Sequence, residues 1–205
     1  MEMWLWGVAA IGAVAYLPLT AQPPALWRSG IKTVPVALLA VVAGLSHAPL
    51  LLIAGLALSA FGDWALSRPG ERAFLMGLIG FAFGHLCYLW LFSGRVEHLG
   101  LWTVLPFAVL ALSTEFWLVP FTGALKGPVR IYVLLICAMA VAAVNLPVPL
   151  RFASLGAVAF VMSDLILAIQ MFRLGTAGRL SRWAGYGLWL LYVAAQALIL
   201  GAFVL

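Results

Sequence analysis

Two aspartates, Asp63 and Asp164, are the residues of this sequence best suited to chemistry, because each interrupts a long apolar run. A carboxylate in hydrocarbon costs several kcal/mol, about 3 on insertion scales, so it usually marks a functional site. In both runs a glycine, Gly55 or Gly156, lies eight residues before the aspartate. Two carboxyls in one low-dielectric cavity do not ionise together easily, so we expect one to hold a proton near neutral pH. This suits general acid–base catalysis, although each aspartate could instead be a structural hydrogen-bonding group between helices.

The composition of the chain excludes an ordinary soluble domain. Of its 205 residues, 66% are hydrophobic and only 8% are charged, whereas soluble domains carry about 25% charged residues. The formal net charge of +5 comes from basic residues between apolar runs, where they act as topology signals and contacts to lipid headgroups. We therefore expect membrane lipids, and not nucleic acid, around this chain. Cys87 and Cys137 lie within apolar runs and are interpreted as packed thiols.

Eight apolar segments approach the length of about 20 residues that a membrane-spanning helix needs. They predict an all-α fold, a polytopic membrane bundle of about eight helices in a single transmembrane domain over residues 1–205. The matched spacing of glycine and aspartate also suggests a parallel repeat of four helices plus four. The segments are 3–20, 31–46, 49–67, 72–93, 99–120, 127–146, 149–172 and 182–205.

The basic residues are distributed unequally between the two sides of such a bundle. With eight spans, one side of the membrane holds nine basic residues and the other holds only Arg95 and Arg151. The positive-inside rule makes the basic side cytoplasmic, which places both termini outside the cytoplasm, and we expect a bacterial inner membrane. The nine basic residues of the cytoplasmic side are Arg28, Lys32, Arg68, Arg72, Lys126, Arg130, Arg173, Arg179 and Arg182.

Helix geometry predicts that both aspartates line one cavity. At 1.5 Å per residue, Asp63 lies roughly 6 Å and Asp164 roughly 12 Å below the cytoplasmic face. Glu115 and Asn145 are expected nearer the outer side. The other polar residues expected at the substrate or around the aspartates are Lys32, Ser59, His85, Tyr88, Tyr132, Ser163, Tyr192 and Gln196.

Other common catalytic centres lack their residues in this sequence. Only His85 lies well inside an apolar segment, so a three-histidine zinc site has too few ligands. Neither Ser59 nor Ser163 has an adjacent histidine that could activate it as a nucleophile. The sequence also contains no Gly-x-Ser-x-Gly motif and no phosphate-binding glycine loop.

Short motifs along nearly the whole chain resemble the lysoplasmalogenase, or YhhN-like, family of polytopic membrane proteins. Each motif is weak alone, but they occur in the family's order. The lysine–proline pair usual in the family is split here by Thr33 and Val34. The motifs are Lys32–Pro35, Ser59–Asp63, Phe81–Tyr88, Tyr132, Gly156–Asp164 with Ala168, and Tyr192–Gln196.

The resemblance implies a hydrolase that cleaves the vinyl ether bond of lysoplasmalogens, giving a fatty aldehyde and glycerophosphoethanolamine or glycerophosphocholine. The chemistry fits, because a protonated carboxyl can protonate the β-carbon and an ionised one can stabilise the oxocarbenium ion and orient water. No metal or organic cofactor is expected. The alternative function is a proton-coupled transporter of a lipid or small amphiphile, in which membrane carboxylates relay protons.

The roles of individual residues follow from the same chemistry. We expect Asp164, as the deeper and drier carboxyl, to be the acid, and Asp63 to orient the water. Tyr192 and Gln196 are expected to hold the aspartates or the water in place. The phosphate of a lysophospholipid drawn from the bilayer would be held by basic residues, Lys32, Arg68, Arg72 and Arg130 among them.

Overall fold

The computed structural model describes residues 3–174 and 178–205, and within them the chain forms eight α-helices and no β-strand. Each helix overlaps one of the eight predicted apolar segments, so the prediction of an all-α fold is confirmed. The helices are α1 (Met3–Tyr16), α2 (Leu26–Leu45), α3 (Leu50–Leu66), α4 (Glu71–Ser93), α5 (Leu101–Trp117), α6 (Lys126–Val144), α7 (Arg151–Ile169) and α8 (Arg179–Val204).

The surface of the bundle is apolar along its helices, as a bilayer requires. Six of the eight helices in the described residues are long and apolar enough to cross a membrane, while α1 and α3 are shorter apolar helices. On α5, for example, Trp102, Val109 and Phe116 are all exposed. Helices satisfy their own backbone hydrogen bonds, which is why they can face hydrocarbon. The chain is therefore an integral membrane helical bundle, whereas the number of spans and the four-plus-four repeat stay predictions.

The helices carrying the two aspartates pack most extensively on the helices that follow them, α3 on α4 and α7 on α8. Helix α2 contacts both α3 and α8, and α6 contacts both α4 and α7. Helices α1 and α5 lie at the periphery, mainly against α2 and α6. This order brings α4, α6 and α8 toward the aspartate faces of α3 and α7.

Two glycines allow the close packing of these helix pairs. At Gly55 of α3, an added Cβ would collide with the ring of Tyr88 of α4. At Gly156 of α7, it would lie 2.8 Å from the carbonyl oxygen of Ala195 on α8. Small residues bring membrane helices together in this way. The glycines that precede the aspartates by eight residues therefore serve helix packing.

Helix α2 begins at Leu26, five residues before the predicted segment. Its first turns contain Arg28, whose Nε donates to the carbonyl of Leu19 at 2.7 Å and whose guanidinium also donates to the carbonyl of Thr20 at 3.0 Å. The sequence analysis missed this helix start because polar side chains, Arg28 among them, interrupt the apolar run there.

Glu115 and Asn145 lie at opposite ends of the α5–α6 pair, so the prediction that both are near the outer side is wrong. Arg130, near the start of α6, donates to both carboxylate oxygens of Glu115, near the end of α5, at 2.7–3.1 Å. Asn145, at the other end of α6, hydrogen-bonds to Thr103 at the start of α5. Because α5 and α6 are joined by a short connection, the end of one helix faces the beginning of the other.

Candidate active site

Asp63 is a buried carboxylate held by groups from two other helices. Its side chain is 2% exposed. Its Oδ1 lies 3.3 Å from the ammonium of Lys32 on α2, and its Oδ2 accepts a hydrogen bond of 2.5 Å from the hydroxyl of Tyr192 on α8. A buried carboxylate needs an opposite charge and hydrogen bonds to remain ionised. Asp63 has both.

Asp164 contacts a phenol and an imidazole instead. Its Oδ2 accepts a hydrogen bond from the hydroxyl of Tyr132 on α6. The Nε2 of His85, on α4, lies 3.0 Å from that hydroxyl oxygen and 3.6 Å from Oδ2. Because the single hydroxyl proton of Tyr132 goes to Asp164, His85 must donate from Nε2 to the tyrosine oxygen. The described contacts of Asp164 therefore fall on Oδ2, and Oδ1 is left for the cavity.

Both carboxyls line one cavity of about 680 Å³, named here the polar cavity. Lys32, Ser163 and Tyr192 line it as well. Two further cations in its wall, Arg28 and Arg182, were not predicted as site residues. The described lining thus carries three cations against two carboxylates, which leaves a net charge of +1 when both aspartates are ionised. Such a cavity favours an anionic ligand.

The relative burial of the two aspartates is the reverse of the expectation. The side chain of Asp164 is 14% exposed, compared with 2% for Asp63. Asp63 is therefore the drier carboxyl, and depth along the helix is not a guide to burial here. Asp164 is more accessible because it faces the cavity, whereas the partners of Asp63 from α2 and α8 enclose it.

The remaining predicted residues separate into cavity residues and packing residues. The hydroxyl of Ser59 donates to the carbonyl of Gly55 on its own helix at 2.8 Å. Tyr88 donates to Oε1 of Gln196 at 2.6 Å and so joins α4 to α8. Among the described residues no hydrogen bond joins Gln196 to an aspartate, so its expected role of holding an aspartate or the attacking water stays a prediction. Ser163 lines the polar cavity but donates to the carbonyl of Leu188, at 3.1 Å.

The predicted phosphate-binding cations do not all lie at the polar cavity. Arg68 lines a neighbouring cavity of about 450 Å³ together with Lys32, and its guanidinium lies 4.8 Å from the centre of the Trp64 ring. Arg130 is paired with Glu115, as described above, and lines neither cavity. Arg72 is exposed at the start of α4. Of the four predicted cations, only Lys32 lines the polar cavity.

A third, smaller cavity of about 90 Å³ lies between α4, α5, α6 and α7 and is named here the apolar cavity. Its walls are almost entirely hydrocarbon, for example Leu78, Leu110 and Val133. Asp164 and Tyr132 are two of its few polar residues. Asp164 therefore faces two cavities of opposite character.

Fold and site together define a polytopic membrane protein with two carboxyls at a cavity within the bundle. The model of the YhhN family matches residues 27–203, and the chain belongs to that family. Among curated proteins, the chain is similar to the lysoplasmalogenases of Mycobacterium bovis and Mycobacterium tuberculosis, with 31% identity over 165 residues in each case. The match covers 74% of this chain and 59% of each relative's length. No solved structure gives a significant match.

Proposed function

We propose that this chain is a lysoplasmalogenase, a membrane hydrolase that converts a lysoplasmalogen and water into a fatty aldehyde and glycerophosphoethanolamine or glycerophosphocholine. The observation that carries the proposal is the pair of carboxyls in one cavity, of which only Asp63 contacts a lysine. Membership of the YhhN family and the similarity to curated lysoplasmalogenases support the choice of substrate.

Asp164 is the general acid in this proposal. Lys32 compensates the charge of Asp63, while the contacts of Asp164 are the hydroxyl of Tyr132 and the imidazole of His85. Of two carboxyls in one cavity, the one without the cation holds a proton more easily. Asp164 gives that proton to the β-carbon of the vinyl ether, and the adjacent carbon and the ether oxygen become an oxocarbenium ion. The role predicted for Asp164 is kept, but the reason is charge and not dryness.

Asp63 is the stabilising carboxylate and the base. Its negative charge faces the oxocarbenium ion across the cavity and lowers the energy of that cation. Water adds to the cationic carbon and gives one proton to Asp63, which forms a hemiacetal. The hemiacetal then gives its hydroxyl proton to Asp164 and breaks its bond to the glycerol oxygen, which takes the proton held by Asp63. The aldehyde is released and both carboxyls return to their starting states. All atoms come from the lipid and one water molecule, and we expect no metal or organic cofactor.

The phosphate of the substrate lies near the cations of the polar cavity. Arg28, Lys32 and Arg182 line it from the starts of α2 and α8. A guanidinium group can donate two parallel hydrogen bonds to the oxygens of one phosphate, so arginine is suited to this task. We place this end of the bundle at the cytoplasmic face of a bacterial inner membrane and both termini outside, because of the unequal distribution of basic residues. Reporter fusions at residue 205 that are active only in the cytoplasm would contradict this orientation.

The decisive experiment is aldehyde release by the purified chain in detergent. With an alkenyl lysophospholipid in D₂O, the aldehyde should carry one deuterium on the carbon next to its carbonyl group, because the acid delivers a solvent-derived proton there. The matched saturated ether lipid should give no aldehyde. Exhaustive chelation should leave the rate unchanged. Failure to release aldehyde from any alkenyl lysolipid would remove the proposal.

A further inference from the structure

The apolar cavity and the polar cavity meet at Asp164. The two cavities share Leu66, Phe81, Asp164, Leu167 and Met171 in their walls. Asp164 is the one charged residue among the shared ones. A ligand in contact with Asp164 therefore has cations on one side and hydrocarbon on the other.

A vinyl ether lipid has the same division at the atom that is protonated. The β-carbon carries the hydrocarbon chain, and the ether oxygen, one carbon further on, carries the glycerol and the phosphate. A proton donor must be within hydrogen-bond reach of the atom that it protonates. The acid of this reaction therefore belongs at the boundary between a polar and an apolar compartment, and Asp164 lies at that boundary.

We propose that the apolar cavity binds the first carbons of the substrate's hydrocarbon chain, next to the vinyl ether, while the rest of the chain leaves the protein beside α5 and stays in the bilayer. This inference rests on the proposed function. The occupant is the chain of the substrate itself, because Asp164, the acid of the proposed reaction, lies in the walls of both cavities.

The size of the apolar cavity sets how much of the chain it holds. A cavity of about 150 Å³ holds one benzene molecule, so about 90 Å³ holds roughly four carbon atoms. Helix α5 packs chiefly against α6, and Leu110 on its inner side lines the cavity. Longer chains therefore pass α5 toward the lipid. We expect a rate that rises over the first few carbons and then changes little with chain length.

Neighbouring residues on two helices provide matched variants. On α6, Val133 lines the apolar cavity and Leu134 is exposed. Val133→Phe should raise the KM of a long-chain alkenyl lysolipid about tenfold, because the larger side chain displaces about two methylene groups of the substrate from the cavity. Leu134→Phe should leave it unchanged. On the opposite wall, Leu110→Trp should act like Val133→Phe, while Val109→Trp, at an exposed position, should not.

A propenyl lysolipid, whose chain ends one carbon beyond the double bond, serves as the internal control. Val133→Phe and the wild-type protein should turn it over with KM values within about twofold, because little of its chain enters the apolar cavity. If Val133→Phe raised the KM of the propenyl and long-chain substrates equally, about tenfold, the variant would be disturbing Tyr132 and not the binding of the chain. The same result for Leu110→Trp would overturn the inference.

Photocrosslinking tests the cavity independently of turnover. The probes are saturated ether lysophosphoethanolamines with a diazirine either on the third chain carbon or at the chain end, and neither can be hydrolysed. The first probe should label peptides of α5, α6 and α7 that line the apolar cavity, and Val133→Phe should reduce this labelling severalfold. The second probe should label exposed positions. Labelling of the polar cavity by the first probe would overturn the inference, even if aldehyde release supports the proposed function. So would a diacyl phospholipid that competes with the probe as strongly as a lysolipid does.

Discussion

The two aspartates of this protein have similar sequence settings and different surroundings. Asp63 lies between an ammonium and a phenol and is almost completely buried, whereas Asp164 lies between a phenol and an imidazole and faces two cavities. In the proposed mechanism, Asp63 is the ionised carboxylate and Asp164 is the acid. The difference shows that the surroundings of each carboxyl are set by the helices that pack against it and not by its neighbours in the sequence.

The same comparison divides the bundle into two functional sides. The partners of Asp63 come from α2 and α8, the helices that also contribute Lys32, Arg28 and Arg182 to the polar cavity. The partners of Asp164 come from α4 and α6, which line the apolar cavity. The proposed substrate, with its charged head and hydrocarbon tail, would thus have one side of the bundle for each part.

Replacing the carboxyls should give the largest effects. Asp164→Asn and Asp63→Asn should each lower turnover by at least about 10²–10⁴-fold, the usual contribution of general acid–base catalysis. Asparagine keeps the shape of the side chain but supplies neither an acidic proton nor a charge. Aldehyde release by the purified variants measures the loss.

The double variant of the two carboxyls tests whether they act as one unit. The losses of the single variants should then not multiply. Retained thermal unfolding profiles in detergent would show that the variants are folded. A rate near that of the wild type for either single variant would exclude that aspartate from the mechanism.

Removing the ammonium next to Asp63 should be the next largest effect. Lys32→Met leaves a buried carboxylate without its cation, and such a change costs about 3 kcal/mol or more in the free energy of unfolding. The double variant Lys32→Met with Asp63→Asn removes the charge as well and should regain most of this stability. Thermal unfolding of the single and double variants checks the prediction. If the double variant were no more stable than Lys32→Met, Asp63 would not carry a charge in the folded protein.

The sequence predicts the helices of this protein well and the contacts between them poorly. Hydrocarbon requires a long apolar run for every spanning helix, so the eight segments are visible without knowledge of their neighbours. Contacts between helices depend on the rotation of each helix and on the order of helices around the bundle. Tyr192 and Gln196 share one face of α8, yet Tyr192 binds Asp63 on α3 and Gln196 binds Tyr88 on α4.

The two cations of the polar cavity that the sequence analysis did not assign to the site have a common property. Arg28 and Arg182 lie in the first turns of α2 and α8, outside the most apolar part of each helix. In the sequence they resemble ordinary cytoplasmic cations, as does Arg130, which in the structure pairs with Glu115. Only the three-dimensional order of helices distinguishes a cation that lines the cavity from one that does not.

The two phenols should give smaller effects of unequal size. A hydrogen bond to a charged group contributes about 1.5–3 kcal/mol, and a bond between neutral groups contributes about 0.5–1.5 kcal/mol. Tyr192→Phe should therefore lower the free energy of unfolding more than Tyr132→Phe, because in the proposed mechanism the carboxyl bonded to Tyr192 is the ionised one. Unfolding of the two variants in the same detergent measures the difference. The reverse order would mean that Asp164, and not Asp63, is the ionised carboxyl.

The smallest expected effect concerns phosphate binding and compares a cation in the cavity wall, Arg182, with one outside it, Arg130. Arg182 lines the polar cavity and is exposed, so its attraction for phosphate is partly screened by salt. Arg182→Gln should raise the KM of an alkenyl lysophospholipid about three- to tenfold at low salt and less at high salt, with little change in kcat. Arg130→Gln should change neither value, because Arg130 is held by Glu115 outside the cavity. An alkenyl glycerol without phosphate is the control substrate, for which Arg182→Gln and the wild type should have the same KM. A rise in KM for that neutral substrate would mean that Arg182 shapes the cavity instead of binding phosphate, and the head of the substrate would then have to be assigned to other cations.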